Sequence, residues 1–138
     1  MIKIYTKNCC DSSYKVKKWL KKYQLEFKEV NLSYQILDST SFIHILKLSK
    51  RGTKDIIAER SDIYRKLRKT IDFEKLQIKE LFDLVQQYPK LLRTPIIIDE
   101  RYLQIGFNDR EIRVFIPKDY RRIAKNFYQE HKEFSNLM

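Results

Sequence analysis

Apolar residues alternate at the start of the chain. Ile2 and Ile4 fall on one side of an extended segment, Lys3 and Tyr5 on the other, which is the two-residue period of a strand. The period then changes. Val16, Trp19, Leu20 and Tyr23 recur at i, i+3, i+4 and i+7, the spacing of one helix face. A polar turn containing both cysteines, Cys9 and Cys10, separates the two patterns. Leu25 to Leu32 alternates imperfectly and reads as a second strand with Phe27 and Val30 facing inward. Strand, helix and strand in this order predict a right-handed parallel unit.

The next stretch changes character. Ser39, Thr40 and Ser41 offer helix N-caps, and Phe42, Ile45 and Leu46 form a helical stripe. Arg51-Gly52-Thr53 interrupts it. Ile56 and Ile57, then Ile63, Tyr64 and Leu67, predict two further short helices. Ile78, Leu81, Phe82 and Val85 make an amphipathic helix that ends before Pro89. The strand signal returns at Pro95-Ile96-Ile97-Ile98-Asp99, a continuous apolar run suited to a buried strand. Glu100-Arg101 is a tight polar turn, and Tyr102 to Ile105 reads as an antiparallel return strand. Asn108 or Asp109 caps a helix carrying Ile112, Phe115 and Ile116, which stops at Pro117. From Asp119 onward, Tyr120, Ile123 and Phe127 share one stripe, with Arg121, Arg122 and Lys125 around it.

Two strand-bearing segments thus flank a helical insertion. The fold class expected is α/β, a thioredoxin-like mixed sheet with an inserted helical block. Residues 1–34 and 93–117 form the core, 35–92 the inserted helical subdomain, and 118–138 a basic C-terminal tail read as helical. Thr94-Pro95 opens the third strand, and in such a plan that proline faces the cysteine loop, often through a cis bond. The small trans preference of X-Pro amides allows one.

Composition narrows the function. The chain has 138 residues, 43% of them hydrophobic and 13% aromatic, with only 2 Gly and 3 Pro. That is enough apolar surface for a core and little room for flexible linkers. Lys and Arg number 29 against 18 acidic residues, a formal charge of +11. Such an excess favours nucleic acid or an acidic protein surface as partner, although a generally basic, solvated surface gives the same count. No apolar run is long enough for a membrane span or a signal peptide, so no membrane contact is expected. Two adjacent cysteines without a spaced framework point to a reducing, cytoplasmic setting. His44 and His131 are isolated, so no metal-ligand set is expected. No Gly-rich phosphate loop or Ser-His-Asp arrangement is present, and no cofactor is expected.

The chemistry is concentrated at the cysteines. A thiol between a strand and a helix start faces unpaired N–H groups and the positive end of the helix dipole, which favour thiolate. Lys7 and Lys15 act in the same direction and Asp11 opposes them. Cys10 therefore reads either as an oxidisable thiol of low pKa or as an inert one. A disulfide between adjacent Cys9 and Cys10 would close a strained small ring.

Several motifs coincide along the chain: Tyr5-Thr6 ahead of Cys10; Gly52-Thr53-Lys54-Asp55-Ile56-Ile57 followed by Arg60-Ser61; Leu91-Leu92-Arg93-Thr94-Pro95-Ile96-Ile97-Ile98-Asp99-Glu100; and Leu103-Gln104-Ile105-Gly106-Phe107-Asn108 with Glu111-Ile112-Arg113. Together, and in this order, they resemble the Spx family, part of the fold group of ArsC-type arsenate reductases. The resemblance implies a cytoplasmic transcriptional regulator of Gram-positive bacteria, not an enzyme. Such a regulator binds the C-terminal domain of the RNA polymerase alpha subunit and redirects the enzyme at stress-responsive promoters. It contacts promoter DNA only together with polymerase, and an adaptor and an ATP-dependent protease are further implied partners.

The site residues follow from the same resemblance. Gly52 matches the family's polymerase-contact glycine, although a helix stop needing positive φ explains it equally. Lys47 and Lys50 lie near it and are suited to acidic groups across an interface. Arg60 matches a family arginine and reads as an anion clamp or partner contact, against the plainer reading of a solvated surface arginine. Two departures matter. The loop is Cys10-Asp11-Ser12-Ser13, where many family members carry Cys-x-x-Cys, so their disulfide switch lacks its second thiol. Thr94 stands where arsenate reductases place an oxyanion-holding arginine, and Arg93, one residue earlier, is expected on the opposite strand face. Both weaken the alternative function, a thiol-dependent oxyanion reductase using Cys10.

Overall fold

The computed structural model describes residues 1–117; the expected helical tail from Asp119 and His131 lie outside the described residues. Four strands, β1 (Ile2–Thr6), β2 (Phe27–Asn31), β3 (Ile96–Ile98) and β4 (Leu103–Ile105), form one sheet in the order β2-β1-β3-β4. β1 and β2 are parallel, joined through helix α1 (Asp11–Lys22). β3 runs antiparallel to both β1 and β4. Between β2 and β3 lie α2 (Ser39–Leu48), α3 (Thr53–Ile56), α4 (Asp62–Leu67) and α5 (Ile78–Gln87), with short 3-10 turns at Phe73–Lys75 and Pro89–Leu91. The architecture is the mixed α/β plan expected.

Both sheet faces are covered, which explains the two kinds of strand pattern. Ile2 and Ile4 pack with Val16 and Leu20 of α1 and with Ile97, Ile112 and Phe115. Tyr5, Ile96 and Ile98 face the other way, into a larger core with Phe42, Ile45, Ile56, Leu81 and Val85. The run Ile96-Ile97-Ile98 needs no polar alternation because its strand is buried on both faces. Tyr5 is therefore core, although its alternation with Ile4 left it on the second face. Phe27 and Val30 both pack inward, but into different clusters, since three residues along a strand reverse the face.

Three local expectations are revised. The cap of α2 is Asp38, whose Oδ1 accepts from the Ser41 amide at 2.7 Å, rather than one of the hydroxyl residues that follow it. A carboxylate at that position also complements the helix dipole. The segment expected to be capped by Asn108 or Asp109 is a 3-10 helix, Glu111–Phe115, with Arg110 at its cap position; Asn108 Oδ1 supports the turn before it, accepting from the Arg110 and Glu111 amides at 2.9 and 3.1 Å. Ile78 opens α5 yet is exposed, so Leu81 and Val85 carry that helix's burial. Among the described residues no helix is long and apolar enough to cross a membrane.

Candidate functional site

After β1 the chain turns through Asn8 and Cys9, the latter at φ +59°, and enters α1 with Cys10 as N-cap. The turn is latched from β2. The Asn8 amide donates to Ser33 Oγ at 3.1 Å, Asn8 Nδ2 to the Tyr34 hydroxyl at 2.7 Å, and Asn31 Nδ2 to Asn8 Oδ1 at 2.9 Å. Periodicity carries no trace of this latch, because it joins the loop after β1 to the end of β2 and the turn beyond it, 23 to 26 positions away. Cys9 is exposed and Cys10 is half-buried.

Cys10 Sγ lies 4.0 Å from the Thr94 carbonyl oxygen and 3.9 Å from Thr94 Oγ1. The Thr94-Pro95 bond is cis, and that segment stands beside the cysteine loop as the sequence implied. Ser13, one helical turn on from Cys10, is buried at 3% exposure, and its Oγ has no hydrogen-bond partner. Burial pushes the Cys10 thiol pKa up. The Ser13 hydroxyl and amide, the Thr94 hydroxyl and the Ser12 amide outweigh it, and the net shift is downward. Those donors stabilise an anionic sulfur, so the orphaned Ser13 hydroxyl gains its acceptor once the thiolate forms. Lys7 is half-buried, and its Nζ donates to the Leu92 carbonyl. Burial lowers its pKa to about 8, with the Cys10 thiolate pulling it up and Lys90 pushing it down. Lys15 is exposed.

Alkylation of Cys10 by iodoacetamide should therefore follow a titration midpoint below that of an unperturbed cysteine thiol. The site-specific rate against pH, read by peptide mass spectrometry, checks this. A midpoint above the ordinary value would mean that burial outweighs the hydrogen bonds.

Arg93 is turned away from the sulfur. Its amide donates to the Ile56 carbonyl at 2.7 Å and its Nη1 to the Asp55 carbonyl at 3.1 Å. It joins Arg51, Lys54 and Arg60 around an open cleft of about 470 Å³ whose other lining includes Glu59. Asp55 adds little free negative charge there, because Arg51 clamps it with its amide and Nε, both at 2.8 Å. The Arg51 amide, offset slightly by burial and reinforced by the guanidinium, holds the Asp55 carboxyl below its usual range.

Gly52 precedes α3 with φ +65° and ψ −131°. L-residues adopt that conformation only under strain. A Cβ added there would meet nothing within 4 Å, so the strain lies in the backbone and not in crowding. Lys47 is exposed on the last turn of α2 and shares a shallow depression with Ser39, Thr40, Ile43 and His44. Lys47 and Arg60 thus line two different concavities. Arg51, Lys54 and Ile43 were not singled out in the sequence. The flanking of Gly52 by basic residues was a usable signal for the first two. Ile43, 38% exposed, stood off the buried stripe of Phe42 and Ile45.

Comparison with known proteins places the chain. The ArsC family model matches residues 5–115. The chain is 46% identical over 122 residues to the protein named global transcriptional regulator Spx of Streptococcus pneumoniae strain R6, covering 88% of this chain and 90% of the relative. It is 44% identical to global transcriptional regulator Spx 1 of Lactococcus lactis, covering 88% and 94%. An ArsC family related protein from Bacteroides fragilis superposes with a TM-score of 0.70 at 19% identity, covering 82% of this chain and 95% of that one. The arsenate reductase of Vibrio cholerae gives 0.62 at 15% identity, covering 82% and 92%; at those identities the likeness is one of fold. The chain belongs to the ArsC family and, within it, to the Spx family.

Proposed function

We propose that this chain is a global transcriptional regulator that docks on the C-terminal domain of the RNA polymerase alpha subunit and redirects the enzyme under stress. It works in the cytoplasm, meets promoter DNA only together with polymerase, and is removed through an adaptor and an ATP-dependent protease. The observation that carries the reading is the 46% identity over 88% of the chain to a relative named global transcriptional regulator Spx. The docking surface we assign centres on the Gly52 turn, with Lys47 on α2 facing acidic groups of the partner and Arg60 contributing from the basic cleft. The bare Cα at Gly52, with open space above it, lets a partner approach the backbone closely. The test is capture of purified polymerase alpha subunit by the purified chain, reduced and oxidised. Binding that weakens with salt, and does so less steeply in Lys47→Ala, is the expected result. No capture under either condition would sink the reading.

The regulator acts without turnover of its own. The group beside the sulfur is the neutral Thr94, position 13 offers no second thiol, and Arg93 is committed to the α3 side. Purified protein with glutaredoxin and glutathione should reduce no arsenate, since losing one charged oxyanion donor commonly costs on the order of 3 kcal/mol of transition-state stabilisation. Turnover that disappears in Cys10→Ser would overturn this.

A further inference from the structure

We propose that Cys10 and Lys7 form an acyl-relay pair: Cys10 takes a short acyl group from a small thioester and passes it to the Lys7 amine, which ends as an N-acyl-lysine. The two residues flank the turn through Asn8 and Cys9. Lys7 Nζ donates to the Leu92 carbonyl, and Cys10 Sγ stands 4.0 Å from the Thr94 carbonyl. Those carbonyls are two residues apart in one segment, a span of about 7 Å, so amine and thiol are held at the same corner. The sulfur is prepared for attack. The Ser13 hydroxyl, 3% exposed and without a partner, is placed to donate to the thiolate, and Cys10 is only half-buried, so a small donor reaches it. The amine is prepared as well. Burial lowers the Lys7 pKa to about 8. At pH 7 about a tenth of it is therefore neutral, roughly two hundredfold more than for a lysine of ordinary pKa. The charge of the Cys10 thiolate keeps that pKa from falling further. Acylation of the sulfur removes the charge, so the Lys7 pKa drops and its amine is freed just when an acyl group stands beside it.

Both steps are acyl transfer, with no change of oxidation state. The Cys10 thiolate attacks the carbonyl carbon of R–CO–S–R′; a new C–S bond forms, the old one breaks, and the departing R′S⁻ takes a proton from water. The neutral Lys7 amine then attacks the same carbon. An N–C bond forms, the bond to the Cys10 sulfur breaks, and one amine proton passes to that sulfur, which returns to a thiol. An amide is more stable than a thioester, so the second transfer runs one way. Each chain takes a single acyl group, which is modification of the chain and not turnover. Lys7 is half-buried, so the group it accepts must be short. Lys15, exposed on α1, has no such setting and serves as the internal reference.

The proposal is independent of polymerase docking and is read with no polymerase present. Reduced full-length protein is incubated at pH 7 with acetyl-coenzyme A as the thioester, and acetyl groups are located by peptide mass spectrometry. Wild type should carry an amide-linked acetyl group on Lys7, at least about tenfold above the level on Lys15. Cys10→Ser should bring Lys7 down to the Lys15 level, because a serine hydroxyl is not ionised at this pH and forms no thioester. Lys7→Arg should stall the relay, leaving an acetyl group on Cys10 that hydroxylamine removes. Ser13→Ala in that Lys7→Arg background should shift the pH profile of thioester formation upward, since the thiolate has lost a donor. Three results would each overturn the proposal: Lys7 acetylated no faster than Lys15, Lys7 acetylated equally fast in Cys10→Ser, or a wild-type thioester on Cys10 that never moves to Lys7.

Discussion

Gly52→Arg is expected to abolish binding to the alpha C-terminal domain, a loss on the order of a hundredfold or more in affinity. An arginine projecting from this turn would hold the partners apart and set a charge beside Lys47 and Lys50. Lost complementarity and like-charge contact together cost several kcal/mol. The structure changes how the experiment must be controlled. From sequence the substitution looks inexpensive for folding unless φ is positive at Gly52, because a turn between surface helices projects an added side chain into water. The φ of 65° meets that condition. Any L-residue here carries roughly 1–3 kcal/mol of backbone strain. Gly52→Ala meets the same strain without the bulk, since even its Cβ touches nothing. The result that supports the docking surface is therefore a pair: similar thermal melts for both variants, with binding retained in alanine and lost in arginine. If both variants bind like wild type, the glycine is only a helix stop and the docking surface lies elsewhere.

Phe42→Ala should be the most damaging single truncation in the helical segment. Phe42 is 1% exposed and packs on Phe82 at 5.4 Å between ring centroids, inside the cluster that joins α2 and α5 to Ile96 and Ile98 of the sheet. Removing a buried phenyl ring costs about 3–5 kcal/mol, since the lost transfer energy and the cavity left behind add. Domains of this size hold only about 5–15 kcal/mol in total. A fall of the melting midpoint by roughly 10–20 °C is expected, measured by circular dichroism or calorimetry. Ile43→Ala, at the next position, should change stability by less than about 1 kcal/mol, because that side chain is already in contact with water. Ile43 borders Lys47, so this variant also reports whether the depression on α2 takes part in docking. A Phe42→Ala protein that melts like wild type would mean that α2 is not anchored through this ring.

The elements themselves were legible because their signals are local. Alternation marked β1, the i, i+3, i+4 stripes marked α1, α2 and α5, and proline closed α5. Each depends only on which residues lie within a few positions of one another. The cap of α2 was missed by one residue because Asp38 and Ser39 are both competent caps, and the choice between them is made by where the first helical turn closes. The inward face of β2 was blurred for a different reason. With both sheet faces buried, Phe27 and Val30 are each correct for one core, and a rule that assumes one wet face has no means of telling them apart.

The site divides in the same way. The adjacent thiols, the serine at position 13, the glycine turn and the neutral Thr94 are covalent facts of the chain, and they bounded the chemistry before any fold was known. Arg93 and Thr94 precede β3, which starts at Ile96, so the bend before the cis Pro95, and not strand alternation, sets their directions. What each then meets, α3 for Arg93 and the Cys10 sulfur for Thr94, was decided by tertiary structure. So were the Lys7 contact with a carbonyl 85 residues away, the partition of Lys47 and Arg60 between two concavities, and the burial that leaves the Ser13 hydroxyl unpaired. Periodicity assigns a side chain to a face of its own element. Which faces meet, and which polar groups lose water when they do, depends on packing between segments far apart in the chain.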